Sequence, residues 1–177
     1  MLRSRPDRYG AIPITIHWLG AILILLALGF GFQAANAIEP AVKAGFLRIH
    51  VSAAIIALLL TVFRIIWWWV FDKKPLPMLG VPSWQNQLAR GVHLAFDVII
   101  LGMSATGVGM VALSGAGTII FGGTDTALTD FHLYPPRVPH GVGAKLLLTL
   151  FFVHIGAALY HQFARRDGLL RRMWYRR

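Results

Sequence analysis

His140 and His154 stand fourteen residues apart within one apolar run. On a helix that separation is a rise of roughly 21 Å with a net rotation of about 40°, so the two imidazoles look out from one face at two depths. His17 lies near the start of an earlier apolar run and His50 near the start of another. By depth, His17 matches His154 at the inner level and His50 matches His140 at the outer level. An ionisable side chain inside a membrane span is costly and usually faces the interior of the bundle. Two imidazoles that face each other across an apolar gap offer the pair of axial nitrogens that a haem iron takes from protein. Zinc would need further ligands, and the chain has no cysteine and few carboxylates to complete a shell. The missing cysteine also excludes disulfides, iron–sulfur clusters and covalent c-type haem. The spacing therefore points to two stacked, non-covalent b-type haems: an inner one on His17 and His154, an outer one on His50 and His140.

Other residues qualify as candidates around these pairs. Arg64 follows His50 by fourteen residues, which places it at the inner depth as a partner for a haem propionate, or as a cation snorkelling to the interface. His161 lies seven residues past His154, at the cytoplasmic interface, where quinone contact, propionate contact and an ordinary interfacial histidine are all open. His93 and Asp97 are four apart, so they are expected to meet on one helix face as a proton relay near a quinone or as a contact that orients the helix. His132, with Asp130 and Tyr134, falls in a loop and is expected to be exposed. Gly20, Ser52, Ala53, Gly141 and Gly143 are small enough to admit a flat macrocycle, and equally suited to plain helix packing.

Four apolar runs must position these groups. They extend from about Ala11 to Gln33, Phe46 to Phe71, Val92 to Leu113 and Val138 to Phe163, each long enough to cross about 30 Å of hydrocarbon. The chain has 177 residues, 56% hydrophobic and 14% charged, against about 25% charged in soluble domains. Lys and Arg number 17 against 7 Asp and Glu. Thirteen of those cations flank one set of span ends, while only Lys43, Arg48, Arg137 and Lys145 flank the other. Both termini and the short second loop are therefore expected in the cytoplasm. The basic tail, Arg165 to Arg177, reads as topology and anionic-lipid contact, not nucleic-acid binding. His17 and Trp18 interrupt the first run and no small-x-small cleavage site follows it, so it reads as a span and not a signal peptide. The third loop, Ser114 to Arg137, is rich in Gly and Pro, including Gly123, with Asp125 and Asp130, and is too polar to be a further span. The expected architecture is one all-α membrane domain over residues 1–177, a four-helix bundle around two haems. No nucleophile constellation, phosphate loop or nucleotide fingerprint is present.

The segments I-T-I-H-W-L around His17, R-I-H-V-S around His50, T-V-F-R-I-I-W-W-W with Arg64 and L-A-R-G-V-H-L at His93 resemble the prokaryotic cytochrome b561 family. So does P-H-G-V-G-A-K…F-V-H-I-G-A-A-L-Y-H-Q-F-A-R-R-D-G-L-L-R-R-M from His140 to Met173. The resemblance covers nearly the whole chain outside the loops. It implies a multi-pass diheme protein of the bacterial inner membrane, with His17, His154, His50 and His140 as ligands to haem iron. Its nearest likeness is to members that oxidise superoxide at the outer haem and reduce ubiquinone near the cytoplasmic side, with His161 near the quinone. His140 departs from the pattern of some members, which carry Trp where Pro139 stands and an acid where Gly141 stands. Two other readings follow from the same residues: a cytochrome b relay and anchor subunit of a larger dehydrogenase such as a hydrogenase, and a haem-free four-span transporter.

Overall fold

A computed structural model describes residues 1–77, 80–122, 128 and 130–175. Gly123 and Asp125 of the third loop and Arg176 and Arg177 of the tail lie outside the described residues. Five α-helices account for most of the chain: α1 Ala11–Asn36, α2 Pro40–Ile66, α3 Ser83–Ser114, the short α4 Ala116–Gly122, and α5 Arg137–Leu159. The second and fourth spans each end, at the same end of the bundle as the chain termini, in a π-helical turn, Trp67–Phe71 after α2 and Tyr160–Arg165 after α5. With these turns, four helices are long and apolar enough to cross a membrane.

The helices overrun the expected spans because polar and aromatic residues carry them into the interface. The third begins at Ser83 instead of about Val92, with Trp84 exposed on the added turns. The loop expected between Ser114 and Arg137 contains α4, whose Ala116 and Ile120 are each 1% exposed, so part of it is packed. Local signals set the boundaries: Pro40 occupies the first turn of α2, and Gly115 ends α3 with φ 67°, a left-handed cap suited to glycine.

Packing is divided in two. α1 lies along α2, and α3 lies along α5. Small residues allow the first contact: Ala53 and Ala57 of α2 close on Leu23 of α1. In the second, a Cβ on Gly143 of α5 would stand 2.8 Å from Met103 Cγ of α3. Ala53 and Gly143 thus serve helix contact, and Ser52 is exposed. Where the halves meet at mid-depth, Leu28, Ile100 and Leu147 form a buried apolar layer. Large apolar side chains such as Leu59, Val98 and Phe152 are more than 60% exposed, as expected where lipid replaces a protein neighbour.

Both termini meet at one end. The N-terminal segment folds back so that the Ala11 and Ile12 amides donate to the Met1 and Leu2 carbonyls, filling two of the donors a helix start leaves open. Asp72 clamps that segment: it accepts from the Ser4 amide at 3.0 Å, the Ser4 hydroxyl at 2.9 Å and Trp67 Nε1 at 3.2 Å. Partial burial pushes the Asp72 carboxyl up, but these hydrogen bonds outweigh it and hold it below the usual carboxylate range. A depressed folded-state pKa contributes stability above the unfolded value, lost as pH falls through the folded one. The Ser4 amide resonance is therefore expected to titrate with a midpoint below the usual carboxylate range, with the N-terminal segment loosening as it does; a pH titration by NMR checks this.

Candidate functional site

The two expected histidine pairs form. His50 of α2 and His140 of α5 face each other with ring centroids 6.0 Å apart and planes at 78°. His17 of α1 and His154 of α5 do so at 6.1 Å and 60°. A metal atom bound to one nitrogen of each ring at about 2 Å per bond leaves centroids about 6 Å apart. Neither α1 nor α2 packs closely on α5, so the backbones part where the imidazoles meet.

The outer pair shows how the rings are aimed. His50 Nδ1 donates to the Ala27 carbonyl at 2.6 Å. His140 Nδ1 lies 3.1 Å from the Met103 carbonyl and 3.0 Å from Thr106 Oγ1. A ring nitrogen on a carbonyl must carry the proton, so each Nε2 keeps its lone pair for a ligand bond. In each case the residue four positions after the carbonyl is glycine; at Gly31 a side chain would collide with the ring, and at Gly107 it would touch it. A Cβ on Gly31 would stand 2.8 Å from His50 Nδ1, and one on Gly107 would stand 3.4 Å from His140 Cε1. Facing imidazoles, orienting carbonyls and a glycine collar fit the axial ligands of a haem iron.

Three imidazoles gather at the inner level. His93 of α3 packs edge-on against His154 at 5.5 Å, and Phe96 does so at 5.6 Å. His93 does not pair with Asp97. Instead Asp97 forms an ion pair with Arg64 of α2, each side chain about one quarter exposed. A carboxylate in hydrocarbon costs several kcal/mol unless a cation neutralises it, and a neutral imidazole offers less than a guanidinium. The one-helix spacing placed His93 and Asp97 near each other; the facing helix supplied the stronger partner. Arg64 is thereby neither free at the interface nor wholly available to a propionate.

At the C-terminal end of the fourth span, His161 Nδ1 contacts Asp167 Oδ2 at 2.5 Å, with Arg165 Nε 3.7 Å from the same oxygen. Burial raises the Asp167 carboxyl, yet hydrogen bonds from His161 and the Leu169 amide, with the nearby Arg165 charge, hold it below the usual range. His132 is exposed, and its amide donates to Asp130. Sequence reasoning missed Gly31, Gly107, Thr106 and Asp167. A mid-helix glycine costs about 1 kcal/mol against alanine, which marks Gly31 and Gly107 as positions with a packing reason. Gly20, by contrast, has nothing within 4 Å of a built Cβ.

A family model described as "Prokaryotic cytochrome b561" matches residues 8–176. The chain is 26% identical over 180 residues to Cytochrome b561 homolog 2 of Escherichia coli, covering 96% of this chain and 93% of that one. It is 24% identical over 187 residues to Cytochrome b561 homolog 1 of the same organism, covering 97% and 99%. It is 29% identical over 181 residues to Cytochrome b562 of Cereibacter sphaeroides, covering 93% and 94%.

Gly31→Ala is expected to push the His50 ring off the Ala27 carbonyl and lower the haem recovered per purified chain. Gly29→Ala, where a Cβ meets nothing within 4 Å, is expected to leave it unchanged. A pyridine haemochrome assay on both variants checks the collar.

Proposed function

We propose that this chain, which belongs to the prokaryotic cytochrome b561 family, holds one b-type haem between His50 and His140 and a second between His17 and His154, and moves electrons from superoxide outside to ubiquinone near the cytoplasm. Family membership itself makes it a multi-pass electron-transfer protein of the bacterial inner membrane that uses b-type haem. The finer reading rests on one observation: two facing imidazole pairs at two depths of one apolar bundle, 6.0 and 6.1 Å between centroids. When bound, haem b accepts and releases single electrons. The remaining tasks belong to the side chains.

Arg48 and Arg137 stand two and three residues before His50 and His140, which sets both cations at the outer rim. Arg48 Nε is tethered to the Ile120 carbonyl at 2.7 Å. Two cations at the rim, one of them tethered, attract an anion such as superoxide without supplying a nucleophile. Between the two levels, the Leu28, Ile100 and Leu147 layer excludes water, so that protons do not follow electrons through the bundle. Two superoxide anions each lose one electron and leave as dioxygen; one quinone takes up those two electrons and two protons to become quinol. The protons come from the cytoplasmic side, where His161, its Nδ1 held by the ionised Asp167, can pass one from Nε2 to a quinone oxygen. Arg64, anchored by Asp97, keeps further N–H groups for a propionate, and His93 packs against the inner pair.

In proteoliposomes the holoprotein is expected to reduce a short-chain ubiquinone when superoxide is supplied outside. His161→Asn is expected to keep its haem spectrum and slow quinol formation by about 100-fold, the usual worth of a positioned proton donor. No superoxide-dependent quinol above the protein-free rate overturns the donor and acceptor together. An unchanged rate in His161→Asn overturns its role.

A further inference from the structure

At the cytoplasmic end, the N-terminal segment and the C-terminal tail enclose a cavity of about 820 Å³ that no histidine lines. Five arginines form its wall: Arg3, Arg5, Arg8, Arg171 and Arg172. Its single acid, Asp7, lies 3.3 Å from Arg8 Nε. Among the described residues, the other four arginines have no carboxylate within 4.0 Å. Arg172 instead spends its donors on backbone, giving Nε to the Asp7 carbonyl at 2.9 Å and Nη2 to those of Leu76 at 2.9 Å and Pro6 at 3.3 Å. These bonds hold the tail against the N-terminus and, among the described residues, bring no carboxylate to the Arg172 charge.

The remainder of the lining differs in kind. Ala11 and Ile14, on the first turns of α1, form an apolar floor, and Trp174 and Tyr175 stand at the rim, 65% and 51% exposed. Trp174 packs edge-on with Trp18 of α1 at 5.6 Å, and the Tyr175 and Thr15 hydroxyls meet at 2.5 Å. Interfacial aromatics of this sort mark headgroup depth. A neutral quinone offers carbonyl acceptors but no negative charge to balance guanidinium groups that, among the described residues, face no carboxylate. A free phosphate would satisfy the guanidinium groups and leave the floor unused. A phosphodiester carrying acyl chains matches both, since guanidinium binds phosphate oxygens bidentately and basic pockets on the cytoplasmic side suit anionic headgroups.

We propose that this cavity is a binding site for the phosphate headgroup of an anionic phospholipid, held by Arg3, Arg5 and Arg171 with Arg172 as its fixed edge. Occupancy would join the first and last segments of the chain through one lipid. Delipidated holoprotein in neutral detergent, titrated with phosphatidylglycerol or phosphatidylcholine and read by native mass spectrometry, tests it. One phosphatidylglycerol is expected to bind with a preference of roughly ten-fold or more over phosphatidylcholine. Arg3→Gln with Arg171→Gln should bring the two lipids to within about two-fold, with the haem spectrum unchanged as the sign of a folded protein. Lys73→Gln with Arg90→Gln, which removes equal charge from exposed positions outside the cavity, should keep the preference. Equal losses in both double variants would reduce the effect to diffuse charge and overturn the site. Displacement of the lipid by millimolar glycerol phosphate would assign the cavity to a soluble phosphoester and overturn the lipid as occupant.

Discussion

Hydrocarbon offers an imidazole no partner, so each buried ring nitrogen must find one within the protein. At the outer level this requirement organises the neighbouring helices. His50 gives its Nδ1 proton to Ala27 of α1, and His140 turns Nδ1 to Met103 of α3. Both carbonyls already belong to helices; the His50 ring reaches its own only because Gly31 omits a side chain, and the His140 ring lies at contact distance over Gly107. With Nδ1 occupied, Nε2 points into the space between the two helix pairs. The bundle packs tightly within α1–α2 and within α3–α5 and more sparsely across them, and the facing imidazoles are where a planar group between two axial nitrogens fits.

The inner level meets the same requirement by other means. Three imidazoles and Phe96 crowd one region, and a carboxylate and a guanidinium on facing helices neutralise each other beside them. The two levels therefore differ in electrostatics although both present two facing rings. The outer one has cations at its rim; the inner one has a paired charge and, beyond it, the His161–Asp167 contact in a π-helical turn. π-turns inside membrane helices often lie at functional positions.

Periodicity made the four spans and the two histidine pairs legible, because residues fourteen apart on one helix share a face wherever that helix sits. Asp97 was not legible in the same way. Its spacing from His93 is a property of α3 alone, whereas its partner Arg64 depends on how α2 is rotated against α3. Asp167 was hidden for a similar reason: it meets His161 only because the chain reverses after a π-turn, at Arg166 with φ 52°. Gly31 and Gly107 carry a sequence signal, glycine within an apolar helix, but the ring each one admits comes from another helix. The span ends shifted outward because hydropathy falls before helicity does, as at Ser83.

Two facing pairs of imidazoles call for two haems, one to each pair. Haem quantified per chain on the purified protein, together with electron paramagnetic resonance of the oxidised form, tests it most directly. Two haem b per chain are expected, both low-spin, with the strongly anisotropic signals of imidazole planes set well apart, as the angles of 78° and 60° require. A chain that carries one haem or none, or high-spin iron at either level, would contradict it.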